Sequence, residues 1–221
     1  YKGQSGSSGN IHDLAHFAGG LIYDEKEFPG LSACSVNFAF GCFHGFLDKA
    51  FAKSLDKLTE AQTACGKLGS GGPFASCIHG IGHGVASFYA TADLNSALAA
   101  CNNLTAGQQF CHDGVFMEFA RNAPPSVYKS EDPVYPCNNI EQQYIAACGR
   151  NQSRVMMMRF NFSFAQVAGV CANSSMLDFQ NSCLDSLGYE TVAQAAGDTQ
   201  KILGLCEQIP APDGILRCVK A

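Results

Sequence analysis

Residues 77–84 read Cys-Ile-His-Gly-Ile-Gly-His-Gly, and two other segments of the chain share their pattern. These segments are Cys-Phe-His-Gly-Phe-Leu-Asp at 42–48 and Cys-His-Asp-Gly-Val-Phe-Met-Glu at 111–118. Aligned on the cysteine, each has glycine at the third following position and ligand-type side chains at the second and sixth: His44 and Asp48, His79 and His83, Asp113 and Met117. Positions four residues apart lie on one face of a helix. If helical, each segment presents a pair of metal ligands.

A fourth segment repeats the spacing without a cysteine, because residues 12–16 read His-Asp-Leu-Ala-His. All six histidines lie between positions 12 and 112, and five of them occupy the pattern. His112 directly precedes Asp113, and the position at which the helix starts decides which of these two side chains points toward the ligand pairs of the other segments. The alignment favours Asp113. We interpret the four pairs as a His/Asp ladder that forms a metal site on a helical repeat scaffold.

The side chains of the ladder indicate a divalent transition metal. Imidazole and carboxylate ligands suit zinc, copper or iron, and Met117 would favour copper if it took part. Glu118 and Asp13 are carboxylates that could orient the ligands, and Glu118 is also the candidate catalytic base. The predicted metal ligands are His12, His16, His44, Asp48, His79, His83 and Asp113.

Twelve cysteines in 221 residues indicate an oxidising compartment. They fall into six close pairs, and none has the Cys-x-x-Cys spacing of a zinc ribbon or redox motif. We predict that each close pair is one disulfide, although pairings between adjacent repeats are alternatives that spacing leaves open. The predicted pairs are Cys34 and Cys42, Cys65 and Cys77, Cys101 and Cys111, Cys137 and Cys148, Cys171 and Cys183, and Cys206 and Cys218.

Other features agree with secretion. Glycosylation sequons of the type Asn-x-Ser/Thr occur at Asn103, Asn151, Asn161 and Asn173. No apolar run reaches the roughly 18 residues of a membrane-spanning helix. The chain begins at Tyr1 without methionine, so we expect that a signal peptide or a longer N-terminal portion has been removed. Residues 1–10 are expected to be a flexible lead-in.

The first cysteines of successive pairs lie 31 to 36 residues apart, a period typical of stacked helical hairpins. Asp93 is well placed as an N-cap before one of the predicted helices. Glycine recurs at Gly45, Gly80 and Gly114, which suggests that neighbouring backbones approach closely there. The predicted fold is an all-α, disulfide-stapled solenoid of about six hairpins, a single domain over 11–221 with a capping helix from His12 to Tyr23.

This organisation resembles the secreted cysteine-rich members of the tetratricopeptide-like (Sel-one-like) repeat family. The resemblance rests on the period, on Ala-Cys at the end of the first helix of a repeat, and on fragments such as Cys-Leu-Asp-Ser-Leu-Gly-Tyr at 183–189. It covers about residues 34–221 and concerns architecture. It implies binding of peptides or partner proteins on a concave face. The His-Gly signature is not part of that family's usual pattern, so the family's function is not carried over.

Two further features depart from the repeat pattern. Residues 122–136 are rich in proline and predict a long loop that could act as a lid. In the fourth repeat the ladder positions hold Arg150 and Arg154, which are candidates for binding an anionic group. Together with the ladder, these arginines are compatible with a metal-dependent hydrolase, and redox chemistry is the other enzymatic possibility.

A different class of function competes with metal binding. The chain could be a structural or protein-interaction module of an extracellular assembly, with a protein partner or its own copies, whose histidines only pack. A net charge of −5 predicts no basic surface for nucleic acid. The two hypotheses differ in geometry, since a metal site requires converging histidine nitrogens, whereas packing histidines would turn apart and bond to the backbone.

Overall fold

The computed structural model describes residues 11–90, 93–122 and 131–220, and all regular structure in these ranges is helical. The prediction of an all-α fold is therefore confirmed. Short 3₁₀ segments lie at Phe28–Ala33, Cys137–Asn139 and Gln142–Tyr144. The α-helices of the described residues are α1 (Ile11–Lys26), α2 (Gly41–Phe51), α3 (Leu58–Gly66), α4 (Gly72–Phe88), α5 (Leu94–Asn102), α6 (Gln108–Asn122), α7 (Ile145–Arg159), α8 (Phe164–Ala172), α9 (Leu177–Gln194), α10 (Thr199–Cys206) and α11 (Pro212–Lys220).

The chain divides into two compact units, one within residues 1–119 and one within 120–221. The first contains α1 to α5 and most of α6, and the second contains α7 to α11. A solenoid formed as a single domain over 11–221 stays a prediction. The lead-in at 1–10 lies outside the described residues, as do positions 123–130 of the proline-rich stretch, so its role as a lid also stays a prediction.

All six predicted disulfides are present, and every cysteine is bonded. The Cα–Cα distances of 5.4 to 5.7 Å lie near the most frequent values for disulfides. In four repeats the bond joins one α-helix to the next. In the first and fourth repeats, Cys34 follows a 3₁₀ segment and Cys137 lies in one, so the predicted first helix of these hairpins is reduced to a short 3₁₀ turn.

Glycines allow α1 and α2 to touch along their backbones. Gly41 and Gly45 are four residues apart on α2 and face His12 and His16 of α1. A Cβ atom at Gly41 would lie 2.7 Å from the His12 carbonyl oxygen, and one at Gly45 would overlap the His16 carbonyl oxygen. Small residues at such a spacing let helices approach more closely than larger side chains permit.

The same arrangement joins α4 to its neighbours. A Cβ atom at Gly84 would lie 2.6 Å from the Leu47 carbonyl oxygen of α2. On another face of α4, a Cβ atom at Gly82 would overlap the backbone of α6 at Cys111, and Gly114 of α6 lies equally close to His79. The prediction of close backbone approach at the recurring glycines is confirmed. Helices α1, α2, α4 and α6 are therefore spaced closely enough for short side chains to meet.

Large apolar side chains fill the space beneath these contacts. Phe43, Phe46 and Leu47 of α2 are almost fully buried, as are Ile78 and Ile81 of α4. Asp93 caps α5 as predicted, because its carboxylate accepts a hydrogen bond from the Ser96 backbone N–H at 3.0 Å. In the part of the chain that the structure describes, no helix combines the length and apolarity that crossing a membrane requires.

Candidate metal centre

Five histidines from three helices of the first unit converge. His12 and His16 lie on α1, His44 on α2, and His79 and His83 on α4. They form two triads, in each of which one ligand atom per residue lies within 4.8 Å of the others. The α1 triad is His12, His16 and His44, and the α4 triad is His44, His79 and His83. His44 belongs to both, and we refer to all five residues as the histidine cluster.

Within each triad the two residues of one helix turn the same nitrogen toward each other. The Nε2 atoms of His12 and His16 are 3.1 Å apart, and those of His79 and His83 are 3.2 Å apart. A tetrahedral zinc ion with bonds of 2.0–2.1 Å would place two ligand nitrogens about 3.3–3.4 Å apart. The helical spacing of four residues has thus brought each pair close to the separation that one shared ion requires.

A backbone carbonyl fixes the orientation of His12. Its Nδ1 lies 2.8 Å from the carbonyl oxygen of Phe38, so Nδ1 carries the proton and donates it. Residues 38 to 40 all have left-handed backbone angles, with φ of 57°, 50° and 61°, and this turn before α2 positions the carbonyl. With the proton on Nδ1, the Nε2 atom of neutral His12 carries a lone pair and faces His16.

A carboxylate fixes the orientation of His83 in the same way. The Nδ1 atom of His83, whose side chain is fully buried, lies 2.8 Å from Oε2 of Glu118 on α6. The other carboxylate oxygen of Glu118 accepts a hydrogen bond from Ser87 Oγ at 3.3 Å. Metal-bound histidines usually donate their second ring N–H to a carboxylate or carbonyl group. His12 and His83 both show this arrangement.

His44 lies between the two pairs in an unusual state. Its side chain is buried, with 4% of the residue exposed, and in the described structure neither ring nitrogen has a hydrogen-bond partner. Burial holds the pKa of His44 far below its usual value, and the neighbouring imidazoles of His83 and His79 lower it further. The ring is therefore neutral, and a lone pair is available for a metal.

One side of the cluster is accessible from solvent. The His16 side chain is 23% exposed and Asp48 is 32% exposed, whereas His83 is completely buried. The rings are close together, with centroids of His44 and His83 4.4 Å apart and those of His16 and His44 5.2 Å apart. A bound ion would be held against a buried wall and reached from the His16 side.

The two aspartates of the predicted ladder belong to neither triad of the described residues. Asp48 Oδ2 lies 3.8 Å from His16 Nδ1, and Ser87 Oγ lies 3.5 Å from Asp48 Oδ1. Asp113 is half-buried on α6. His112 is buried and turned toward α5, where its Nε2 lies 3.0 Å from Asn102 Oδ1. Metal ligation by Asp48 and Asp113 stays a prediction.

Two groups near the cluster were not foreseen from the sequence. Ser87 follows His83 by four residues, so its place on the same helix face was available from the spacing. No sequence pattern indicates the contact of the Phe38 carbonyl. Every residue carries a carbonyl, and the position of this one depends on the left-handed turn. The predicted role of Glu118 as an orienting carboxylate agrees with its contact to His83.

The remaining predicted sites lie elsewhere on the chain. Arg150 is exposed, and the Arg154 guanidinium lies 3.9 Å from the carboxylate of Glu190 in the second unit. Anion binding by these arginines stays a prediction. Asn103, Asn161 and Asn173 are exposed, whereas Asn151 is half-buried within α7 and bonds to the Ala147 carbonyl at 3.0 Å.

No protein-family model, no curated protein and no solved structure matches this chain. The resemblance to the Sel-one-like repeat family therefore stays an expectation from the sequence.

Proposed function

We propose that this chain is a secreted metal-binding protein whose histidine cluster holds a divalent transition metal. The observation that carries the proposal is the environment of His44. Leaving a buried polar group without a hydrogen bond costs about 1–3 kcal/mol, so proteins rarely retain one without a use. Here the unpartnered imidazole faces four others, and a metal ion would satisfy it.

The orientation of the rings supports the same proposal. Histidines that only pack would turn apart and bond to the backbone, as Nδ1 of His12 does with the Phe38 carbonyl. The paired Nε2 atoms instead face each other on both α1 and α4. Two separate helices reach the same arrangement, which independent packing would not be expected to produce.

The ligand set favours zinc or copper, with iron as a further possibility. Imidazole nitrogen suits all three metals, and the disulfide-bonded cysteines offer no thiolate that would select among them. Three histidines leave one position of a tetrahedral ion for water or a substrate, as in catalytic zinc sites. Zinc in such a site supports hydrolysis by lowering the pKa of bound water, whereas copper or iron would support redox chemistry.

Glu118 would then act as a positioning residue. One of its carboxylate oxygens bonds to His83 and the other to Ser87, so both are engaged away from the Nε2 atoms that face a metal. This placement favours an orienting role over the catalytic base considered from the sequence. Secretion is supported by the six disulfides, since such bonds persist in oxidising compartments.

The test is the metal content of protein purified without chelators, measured by inductively coupled plasma mass spectrometry. We expect zinc, copper or iron in the wild type and a clear decrease in the His79→Ala/His83→Ala double variant, which lacks two of the three histidines of the α4 triad. The matched control is His112→Asn, which changes the one histidine outside the cluster and should retain the metal. Metal-free wild-type protein that also fails to take up added zinc or copper would refute the proposal.

A further inference from the structure

His44 is shared by two triads whose other members lie on different helices. The structure places α2 in backbone contact with α1 through Gly41 and Gly45, and with α4 through Gly84. No group of ligand atoms within 4.8 Å combines histidines of α1 and α4 among the described residues. A single ion would therefore bind only three of the five histidines. Helices α1 and α4 each carry their own pair of facing Nε2 atoms.

We propose that the histidine cluster is a dinuclear centre in which the His44 ring bridges two metal ions. One ion would take the Nε2 atoms of His12 and His16 and one nitrogen of His44. The other would take the Nε2 atoms of His79 and His83 and the remaining nitrogen of His44. This inference rests on the proposed function and specifies the number of metals and the group that links them.

The condition of the two His44 nitrogens supports a bridge. A ring that served one ion would have its second nitrogen free to bond to the protein, as Nδ1 of His12 does with Phe38 and Nδ1 of His83 does with Glu118. Both nitrogens of His44 are instead buried without a hydrogen-bond partner in the described structure. Two metal ions would satisfy both.

The proton balance of the bridge is simple. A neutral imidazole carries one N–H, and its other nitrogen binds the first ion through a lone pair. When the second ion binds, the N–H bond breaks, the proton passes to water, and the electron pair of that bond becomes the second donor pair. No oxidation or reduction occurs, and metal binding releases one proton at this step.

The surrounding charges match two ions. One carboxylate accompanies each triad, because Asp48 lies 3.8 Å from His16 and Glu118 lies 2.8 Å from His83. The imidazolate form of His44 adds a third negative charge. These three charges offset most of the four positive charges that two divalent ions bring into a partly buried site, where unbalanced charge is costly.

Copper(II) titration followed by electron paramagnetic resonance tests the bridge. The first equivalent added to metal-free protein should give the signal of an isolated ion. When the second equivalent occupies the other triad, spins linked by the bridge couple, so the signal should fall below its one-equivalent intensity. The His16→Ala and His79→Ala variants each retain one intact triad, and each should bind one equivalent with an uncoupled signal.

The alternative outcomes separate the bridge from the proposed function. Two equivalents whose signals simply add would overturn the bridge but leave metal binding intact, and so would saturation at one equivalent. Protein that binds neither copper(II) nor zinc would overturn both. His112→Asn serves as the control and should couple like the wild type. Circular dichroism of each variant confirms that a lost signal does not come from unfolding.

Discussion

At the scale of single residues, His44 combines a cost in stability with a gain in binding. Its buried, unpartnered ring destabilises the metal-free protein, so replacement by an apolar side chain of similar size should remove that cost. We expect His44→Leu to raise the free energy of unfolding of the chelator-treated protein by about 1 kcal/mol and to abolish metal binding. Urea denaturation with excess chelator, together with metal analysis, measures both. A less stable variant that still bound metal would contradict the prediction.

The depressed pKa of His44 predicts how acid affects the metal-free protein. Because the folded pKa lies below the unfolded value of 6.5, the unfolded chain binds the extra proton at intermediate pH. The contribution of this group to the free energy of unfolding is therefore fully present above pH 6.5. It is lost as the pH falls below 6.5, by up to about 1.4 kcal/mol per pH unit. Unfolding measured at several pH values below 6.5 should show a shallower decline in His44→Leu than in the wild type.

Glu118 offers a test of orientation separate from ligation. Glu118→Gln keeps the size of the side chain but removes the charge that holds the Nδ1 proton of His83. Loss of such a partner typically weakens metal binding by about 10-fold to 100-fold. Competition with a zinc chelator should show this decrease, whereas the exposed control Glu60→Gln should bind like the wild type. Equal affinities in both variants would exclude an orienting role.

The sequence predicted the histidines of the cluster more fully than their surroundings. His12 and His16, like His79 and His83, meet because residues four apart share a helix face, and that rule needs no tertiary information. The position of Asp113 depended on how α6 is rotated and placed against α4, which local spacing does not specify. Its neighbour His112 bonds to Asn102, a contact between helices that only the folded unit reveals.

At the scale of helices, the glycines determine whether the cluster can assemble. A methyl group at Gly45 would overlap the backbone of α1 and force α1 and α2 apart. We expect Gly45→Ala to destabilise the protein by about 3 kcal/mol, the upper part of the range for overpacked cores, and to weaken metal binding. Thermal unfolding and zinc titration provide the measurements.

Gly66 is the matched control for that substitution. It lies at the end of α3, and no atom would lie within 4 Å of an added Cβ. Alanine has the higher helix propensity by roughly 1 kcal/mol, so Gly66→Ala should leave stability unchanged or raise it slightly. A comparable loss of stability in both variants would mean that helix contacts at Gly45 are not the cause.

The helical hairpins themselves followed from the cysteine period, with two exceptions of physical origin. Pro29 lies in the 3₁₀ segment that ends before Cys34, and Pro136 directly precedes the 3₁₀ segment that begins at Cys137. Proline lacks the N–H that a helix interior needs. These segments form 3₁₀ turns in place of full helices. The repeat period is set by the spacing of the cysteines and not by helix length. It therefore stays regular even where the first helix of a repeat is shortened to a 3₁₀ turn.

At the scale of the whole molecule, the disulfides divide along the same boundary as the two compact units. Three bonds lie within residues 34–111 and three within 137–218, and none joins the two sets. A protein cut once at a protease sequence inserted between residues 122 and 131 should therefore separate into two fragments in denaturant without reduction. Intact mass spectrometry should find three disulfides in each. Fragments that separated only after reduction would contradict this connectivity.

The short span of each disulfide has a consequence for biosynthesis. The two cysteines of every pair are only 8 to 12 residues apart, so both emerge from the ribosome within moments of each other. Closing one of these loops requires no later part of the chain, so it can begin as soon as both cysteines reach an oxidising compartment. The order of oxidation would then follow the order of translation, and the chain would have little need for an isomerase to correct wrong partners.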